Sequence, residues 1–386
     1  MGEMAAFDDL CAAALRGEAA PWPQKGYWHE NLDVFRRRLI YHGIAGLLYM
    51  RPKLLEDWPA ELITLLREES LARAMWEMRH KLLVADVIEA LHEESIQSVV
   101  LKGTAYAYGL YNHPAQRIRG DTDLLVGQSN LRAARETLRS LGWLRLGGDP
   151  GPFGPMHYQE TWQYRDPAGL KHDIDLHWEV TNSRALRNVL DAAHVLLEAR
   201  PLPRLAPHAS CADPVRALIH RAVNRAVHAQ CGYFSLDRNE YDPNRLIWAV
   251  DIDLLARNLS PEDWKECSTH AIASGIADIA LDALQFAHAS LKTPLPKETL
   301  SWLAIATSDT PATRYLRSSS SLGRVLADFK ATPGIWARAT YLLARAFPSA
   351  TDVRAKYPGL AAAPLWTLYI KRIFDGLAQT LRGSGA

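Results

Sequence analysis

An excess of charge of one sign is absent from this 386-residue chain: 44 Lys and Arg face 43 Asp and Glu, for a formal net charge of +1. A balance of that kind speaks against a broad nucleic-acid-binding surface, because neutralising phosphates supplies most non-specific affinity. A local basic groove is compatible with it. Cysteine is scarce too. Cys11, Cys211, Cys231 and Cys267 are scattered, with no Cys-x-x-Cys spacing and no adjacent His pair. That excludes a zinc-site pattern and a disulfide framework, and reads as small buried thiols in a reducing cytosol. No run of about 18 apolar residues occurs, so no membrane span is expected. The start, Met1-Gly2-Glu3-Met4 followed by Asp8-Asp9, lacks the basic and apolar regions of a secretion signal. Ala6 stands where a myristoylation motif needs Ser or Thr. A cytoplasmic protein is expected.

What is present is length enough for two or three domains and a sizeable core. Residues 5–19 and 30–50 have helical spacing, with Leu32, Phe35, Leu39 and Ile40 on one side of the second segment. Pro52 and Pro59 precede a long expected helix from Glu61 to Glu94, whose apolar residues recur at three and four, Leu71, Met75, Met78 and Leu82 among them. Residues 1–94 thus read as an N-terminal helical cap.

From Ser95 the character changes. Ser98–Leu101 reads as a short buried strand ended by Gly103, and Thr104–Tyr111 as a helix. Arg117–Val126 reads as a second strand and Leu131–Leu141 as a helix. Gly147–Pro155 is a glycine- and proline-rich loop, long enough to be a flap. His157–Tyr164 and Lys171–Val180 form an expected hairpin around Asp166-Pro167-Ala168-Gly169. These elements make residues 95–182 one expected core. Everything beyond Asn182 reads helical, giving a third region at 183–386, with the Pro-rich piece Arg200–Pro207 as a boundary and a last helix at Leu365–Leu381.

The chemistry lies in two acidic strand-like runs, Asp121-Thr122-Asp123-Leu124-Leu125-Val126 and Asp173-Ile174-Asp175-Leu176-His177-Trp178. Carboxylates two apart on a strand share a face. Burying several like charges there is costly unless a cation neutralises them, and a divalent metal does so. The competing reading of Gly120-Asp121-Thr122-Asp123 is an Asx turn opening a strand. Asp173 and Asp175 compete to be the third ligand, and His177 shares their face, either orienting a carboxylate, touching substrate or packing as a structural histidine. Gly103 lets backbone approach phosphate, Thr104 adds a hydroxyl, and Lys102 either offsets phosphate charge or ends a strand in solvent. Arg117 and Arg119 alternate in phase with Asp121 and Asp123, reaching a γ-phosphate or bridging to these aspartates. Further on, His220-Arg221 with Asn224-Arg225, and Trp248 with Asp251 and Asp253, form polar stripes suited to helix–helix bonding or to base or acceptor recognition.

Taken together, Leu101-Lys102-Gly103, Arg117-x-x-x-Asp121-x-Asp123-Leu124-Leu125-Val126 and Asp175-Leu176-His177-Trp178 resemble the nucleotidyltransferase superfamily of DNA polymerase β, and within it a bacterial branch. The resemblance covers roughly residues 80–180. Thr104 departs from the usual Ser or Gly, and the segment from Gly103 to Asp121 is longer than in the minimal enzymes. The resemblance implies an α+β fold, a small mixed-sheet palm embedded between an N-terminal helical cap and a C-terminal all-helical domain. It implies Asp121, Asp123 and Asp175 as the catalytic ligands of Mg²⁺ or Mn²⁺, preferring Asp175 over Asp173 because the family's carboxylate directly precedes Leu-His-Trp. Lys102, Gly103, Thr104, Arg117, Arg119 and His177 would attend the nucleotide. The implied reaction moves an NMP from an NTP to a hydroxyl of a small molecule, peptide or saccharide and releases pyrophosphate. An RNA-directed transferase acting on tRNA 3′ ends, a non-catalytic nucleotide sensor, and other phosphate chemistry on the same metals remain the alternatives.

Overall fold

The structure is a computed structural model and describes residues 2–23, 28, 31–148, 151–235, 238–306, 309–360 and 362–381. Helices α1 (Gly2–Arg16), α2 (Leu32–His42), α3 (Ala45–Tyr49) and α4 (Ala60–Glu93) open the chain. They close around an aromatic cluster in which Phe7 meets Trp22, Trp28, Phe35 and Trp58 at centroid distances of 4.7–6.1 Å. Gly43 ends α2 in the left-handed region (φ 67°), and its N–H bonds back to the carbonyls of Leu39 and Ile40.

α4 departs from the apolar stripe expected of it. Leu62, Leu65 and Leu66 are buried at one end and Val84, Val87, Ile88 and Leu91 at the other, while Glu77 and His80 are the buried residues between. Leu71, Met75, Met78 and Leu82 face outward, 51–72% exposed. The middle of the helix crosses the back of the sheet, and that back is polar: a His80 ring nitrogen lies 2.8 Å from the Thr122 hydroxyl.

The sheet is assembled from β1 (Ser98–Leu101), then α5 (Lys102–Gly109), β2 (Asp121–Val126), α6 (Leu131–Ser140), β3 (Leu144–Arg145), β4 (Gln159–Arg165) and β5 (Lys171–His177). After α7 (Ala192–Leu197) come two short strands, β6 (Arg200–Pro201) and β7 (Ser210–Cys211). The order is β3-β4-β5-β2-β1-β7-β6, which makes β2 the central strand. It runs antiparallel to β1 and parallel to β5, so the sheet is mixed. β2 begins at Asp121, four residues later than expected, because the Pro114–Gln116 turn feeds Arg117 and Arg119 inward to buried acidic partners.

Past residue 182 the chain is not uniformly helical. β6 and β7 extend the central sheet from the Pro-rich piece, where Pro201 and Pro203 forbid a helix but suit an edge strand. After α8 (Pro214–Cys231) a second small hairpin pairs β8 (Tyr233–Ser235) with β9 (Arg238–Glu240). α8 begins with Pro at its first position and with the Asp213 carboxylate accepting from the amides of Val215 and Arg216, a strong start signal. α9 (Leu246–Arg257), α10 (Pro261–Ala273) and α11 (Ala277–Leu291) pack with α8, and α1 returns to lie on α11. Shorter helices then lead to α12 (Leu365–Leu381) at the end. The buried apolar side chains form one continuous core from Phe7 to Leu316.

Of the expected flap, residues 149–150 lie outside the described residues. Its described part packs on the C-terminal helices, where Phe153 meets Phe347 at 5.8 Å. Among the described residues, no helix is long and apolar enough to cross a membrane.

Candidate active site

Parallel pairing of β2 with β5 sets Asp121 opposite Asp173 and Asp123 opposite Asp175. Paired residues on neighbouring strands share a face about 4.8 Å apart, so the two runs of alternate carboxylates become one patch. From the other side β1 brings Leu101 opposite Asp123. Lys102 follows with φ 49°, a left-handed conformation that non-glycine residues seldom take. The bend delivers its Nζ to 2.6 Å from Asp123 Oδ1. His177 Nε2 donates to the same oxygen at 2.9 Å.

Asp175 is held from β4. The Thr161 hydroxyl donates to its Oδ1 and the Gln159 amide to its Oδ2, each at 2.6 Å. Asp173 accepts from the Gln163 amide at 2.9 Å and is not among the residues lining the cleft. One ligand atom each from Asp123, Asp175 and His177 lies within 4.8 Å of the others. Beside them Asp121 is half-buried, and among the described residues no donor reaches its carboxylate. The sequence carries a signal for Thr161 and Gln159, since a hairpin partner of the Asp175 strand must supply period-two neighbours.

Burial, then the charges of Asp123 and Asp175, push the Asp121 carboxyl up to about 7, and Lys102 and Arg119 oppose this only in part. Burial also works against ionised Asp123, but Lys102 and His177 outweigh it and hold that carboxyl well below the usual range. Asp175 is raised, by burial and by Asp123. Lys102 keeps its proton despite burial because the three aspartates surround it. Three carboxylates therefore share one ammonium, and one of the three has no donor. Hard oxygens with one imidazole nitrogen, short of positive charge, fit a divalent cation.

The remaining expected residues, Thr104 apart, line the cleft in front of the patch. Gly103 lines the cleft, and a Cβ there would touch Arg119 at 3.4 Å. Thr104 is buried; its hydroxyl lies 2.8 Å from that of Thr122 and accepts from Arg119 Nε at 2.8 Å. Arg119 also donates to Glu77 at 2.7 Å. Arg117 makes a two-pronged pair with Asp251 of α9, both bonds at 2.7 Å, and Tyr111 donates to the same carboxylate at 2.8 Å. Both arginines thus form buried ion pairs, but with Glu77 and Asp251 rather than with the neighbouring aspartates.

In front of the carboxylates lies a cleft of about 540 Å³. Lys102, Gly103, Arg119, Asp121, Asp123 and Asp175 line it from the sheet region, and Arg221, Tyr233, Arg245 and Trp248 line it from α8, β8 and the start of α9. Arg221 and Trp248, which stood in separate stripes of the sequence, meet with the guanidinium 4.9 Å from the ring centre. Asp253 turns away and bonds Arg257. Tyr233 and Arg245 carried no sequence signal. A second cavity of about 290 Å³, walled by Leu101, Tyr106, Leu202 and Leu255, shares Lys102 and His220 with the cleft.

A family model described as "Uncharacterised nucleotidyltransferase" matches residues 28–292, more than half of the chain and every cleft residue named above. No curated protein matches the chain.

Proposed function

The chain belongs to this nucleotidyltransferase family, and from that premise we propose that it transfers an NMP from an NTP to a hydroxyl of a small-molecule, peptide or saccharide acceptor, using Mg²⁺ or Mn²⁺. One observation carries the reading: Asp123 and Asp175 face each other across parallel strands, with ligand atoms within 4.8 Å of each other and of His177, beside a carboxylate that lacks a donor. We read the sheet as a polymerase β-like palm, with Asp121, Asp123 and Asp175 as the metal ligands. When bound there, the cations neutralise phosphate charge and lower the pKa of the attacking hydroxyl.

The chain's own groups do the rest. Each oxygen of Asp175 already accepts one bond and keeps a free lone pair, so this carboxylate accepts the proton of the acceptor hydroxyl. The acceptor oxygen bonds the α-phosphorus, the bond from that phosphorus to the bridging oxygen breaks, and pyrophosphate leaves. His177 fixes the Asp123 oxygen, Lys102 offsets phosphate charge, and Gly103 leaves the backbone open to close approach. Thr104 and Arg119 act at one remove, stiffening the strand that carries the aspartates. The apolar cavity adjoining the cleft supports a small acceptor with an apolar group, and the balanced charge supports one that is not nucleic acid.

Incubation with each labelled NTP in turn, with Mg²⁺ and cell extract, tests the reading. Pyrophosphate should appear, one species should become labelled, and Asp123→Asn should do neither. Nucleotide binding with no pyrophosphate from any NTP would leave a sensor instead of an enzyme.

A further inference from the structure

We propose that the cleft wall contributed by α8 and the start of α9 is a subsite for the oligophosphate tail of the donor nucleotide, held by Arg221 and Arg245. The identity of the tail as that of an NTP rests on the function proposed above; the affinity of this wall for an anion does not.

Both side chains are nearly sealed from solvent, Arg221 at 3% exposure and Arg245 at 5%, yet both line the cleft. Neither has a carboxylate of its own among the described residues. Arg221 donates to the Asn224 side chain at 2.5 Å and approaches Asp251 only to 3.8 Å, because Arg117 already holds that carboxylate with two bonds. Its Nε is buried without any partner. Arg245 donates from Nε to the Tyr41 carbonyl, and its guanidinium also interacts with the Tyr233 side chain, 4.2 Å from that ring's centre, and lies 5.8 Å from the centre of Trp248. Arg117 and Arg221 therefore share one carboxylate, and Arg245 has no carboxylate partner among the described residues. The aromatic faces offset part of the imbalance. The remainder asks for an anion, and burial together with the neighbouring arginines draws Arg221 down to about 10.

The backbone accommodates this arrangement. Gly43 lies beside Arg245, where a Cβ would come within 2.8 Å of a terminal nitrogen. Planar guanidinium forks match phosphate oxygens. Arg119 lines the same cleft but is already paired with Glu77, and Thr104 is buried against Thr122. With Lys102 and the aspartates lining the same cleft, a nucleotide lying along it would place its reacting phosphate at the carboxylates and its tail at the arginines.

The probe is inorganic triphosphate, titrated calorimetrically into the full chain in EDTA, with thermal melting in parallel. Wild type should bind it, with an affinity that falls as salt rises, and should melt higher in its presence but not with adenosine. Arg221→Gln and Arg245→Gln should each weaken binding tenfold or more while Mn²⁺ still binds the aspartates. Unchanged affinity in both variants would overturn the assignment. So would absence of a melting shift in wild type, a result that does not depend on how the variants fold. Triphosphate that binds without competing against NTP would instead mark a subsite for an anionic acceptor and overturn the donor-tail assignment. Triphosphate binding through the arginines without pyrophosphate release from any NTP would sink the transferase reading alone. Pyrophosphate release with arginine-independent triphosphate binding would sink this inference alone.

Discussion

Replacing Asp175 by Asn, with Asp173→Asn beside it, tests which carboxylate of β5 does chemistry. Asp175 lies opposite Asp123, inside the cleft, and is fixed by two donors. The amide keeps the shape and removes the charge. Two unit charges about 5 Å apart at an effective dielectric of about 20 interact by about 3 kcal/mol, so losing this one next to a bound cation costs about two orders of magnitude in rate. Asp173 is one pleat period away, roughly 7 Å along the strand, and Gln163 already satisfies it. Its neutralisation should cost less than about 1.4 kcal/mol, or tenfold. Single-turnover pyrophosphate release at saturating NTP and Mg²⁺ reads the loss, and nucleotide binding measured separately should change little in either variant, because Asp121 and Asp123 remain. If Asp173→Asn were the inactive variant and Asp175→Asn nearly normal, the register-based argument would be wrong, and the assignment of the site with it.

Asp121→Asn or Asp123→Asn should abolish pyrophosphate release in a folded protein, and Asp121→Asn should melt higher than wild type in EDTA because it removes one of three crowded charges; a sharp drop in melting temperature with activity intact would favour a structural turn. After EDTA treatment, Mg²⁺ or Mn²⁺ should restore activity; stoichiometric zinc retained through EDTA dialysis would contradict a hard-cation site. His42 and His80 are buried with pKa values lowered, chiefly by burial, so as pH falls the unfolded chain takes up these protons first. Their contribution is complete above roughly pH 6.5 and is lost below it; the urea midpoint should fall between pH 7.5 and 5.5, and a flat or rising midpoint would refute this. Asp251→Asn strands Arg117 in a dry site and should cost about 3–5 kcal/mol of stability, whereas Arg117→Met with Asp251→Leu should recover much of it; a neutral single variant in chemical denaturation would show the pair to be solvated.

The carboxylate patch was legible because it follows from strand periodicity: Asp121 with Asp123 and Asp173 with Asp175 share faces whatever the topology, and only the pairing of β2 with β5 had to be found. The long helix was legible in extent but not in facing, since its middle buries Glu77 and His80 against a polar sheet back that no apolar pattern announces. Asp251 lies 134 residues from Arg117, and no local rule links them. Arg221 and Trp248 were visible as polar stripes on separate helices, but their shared position over the cleft depends on helix packing, which single-sequence periodicity does not encode. The β6–β7 strands were hidden because strands of two residues, in and just after a proline-rich piece, carry no alternation to read.

The Arg117–Asp251 pair also sets an order of events during synthesis. Arg117 leaves the ribosome 134 residues ahead of its carboxylate, an interval of roughly 7 to 27 s at about 5–20 residues per second. Throughout it, a guanidinium bound for the dry interior has only water for company, so the sheet cannot close over it. A nascent chain stalled before residue 251 should therefore stay open to protease at Arg117–Gly120, and the face that carries the aspartates should be sealed only as α9 emerges.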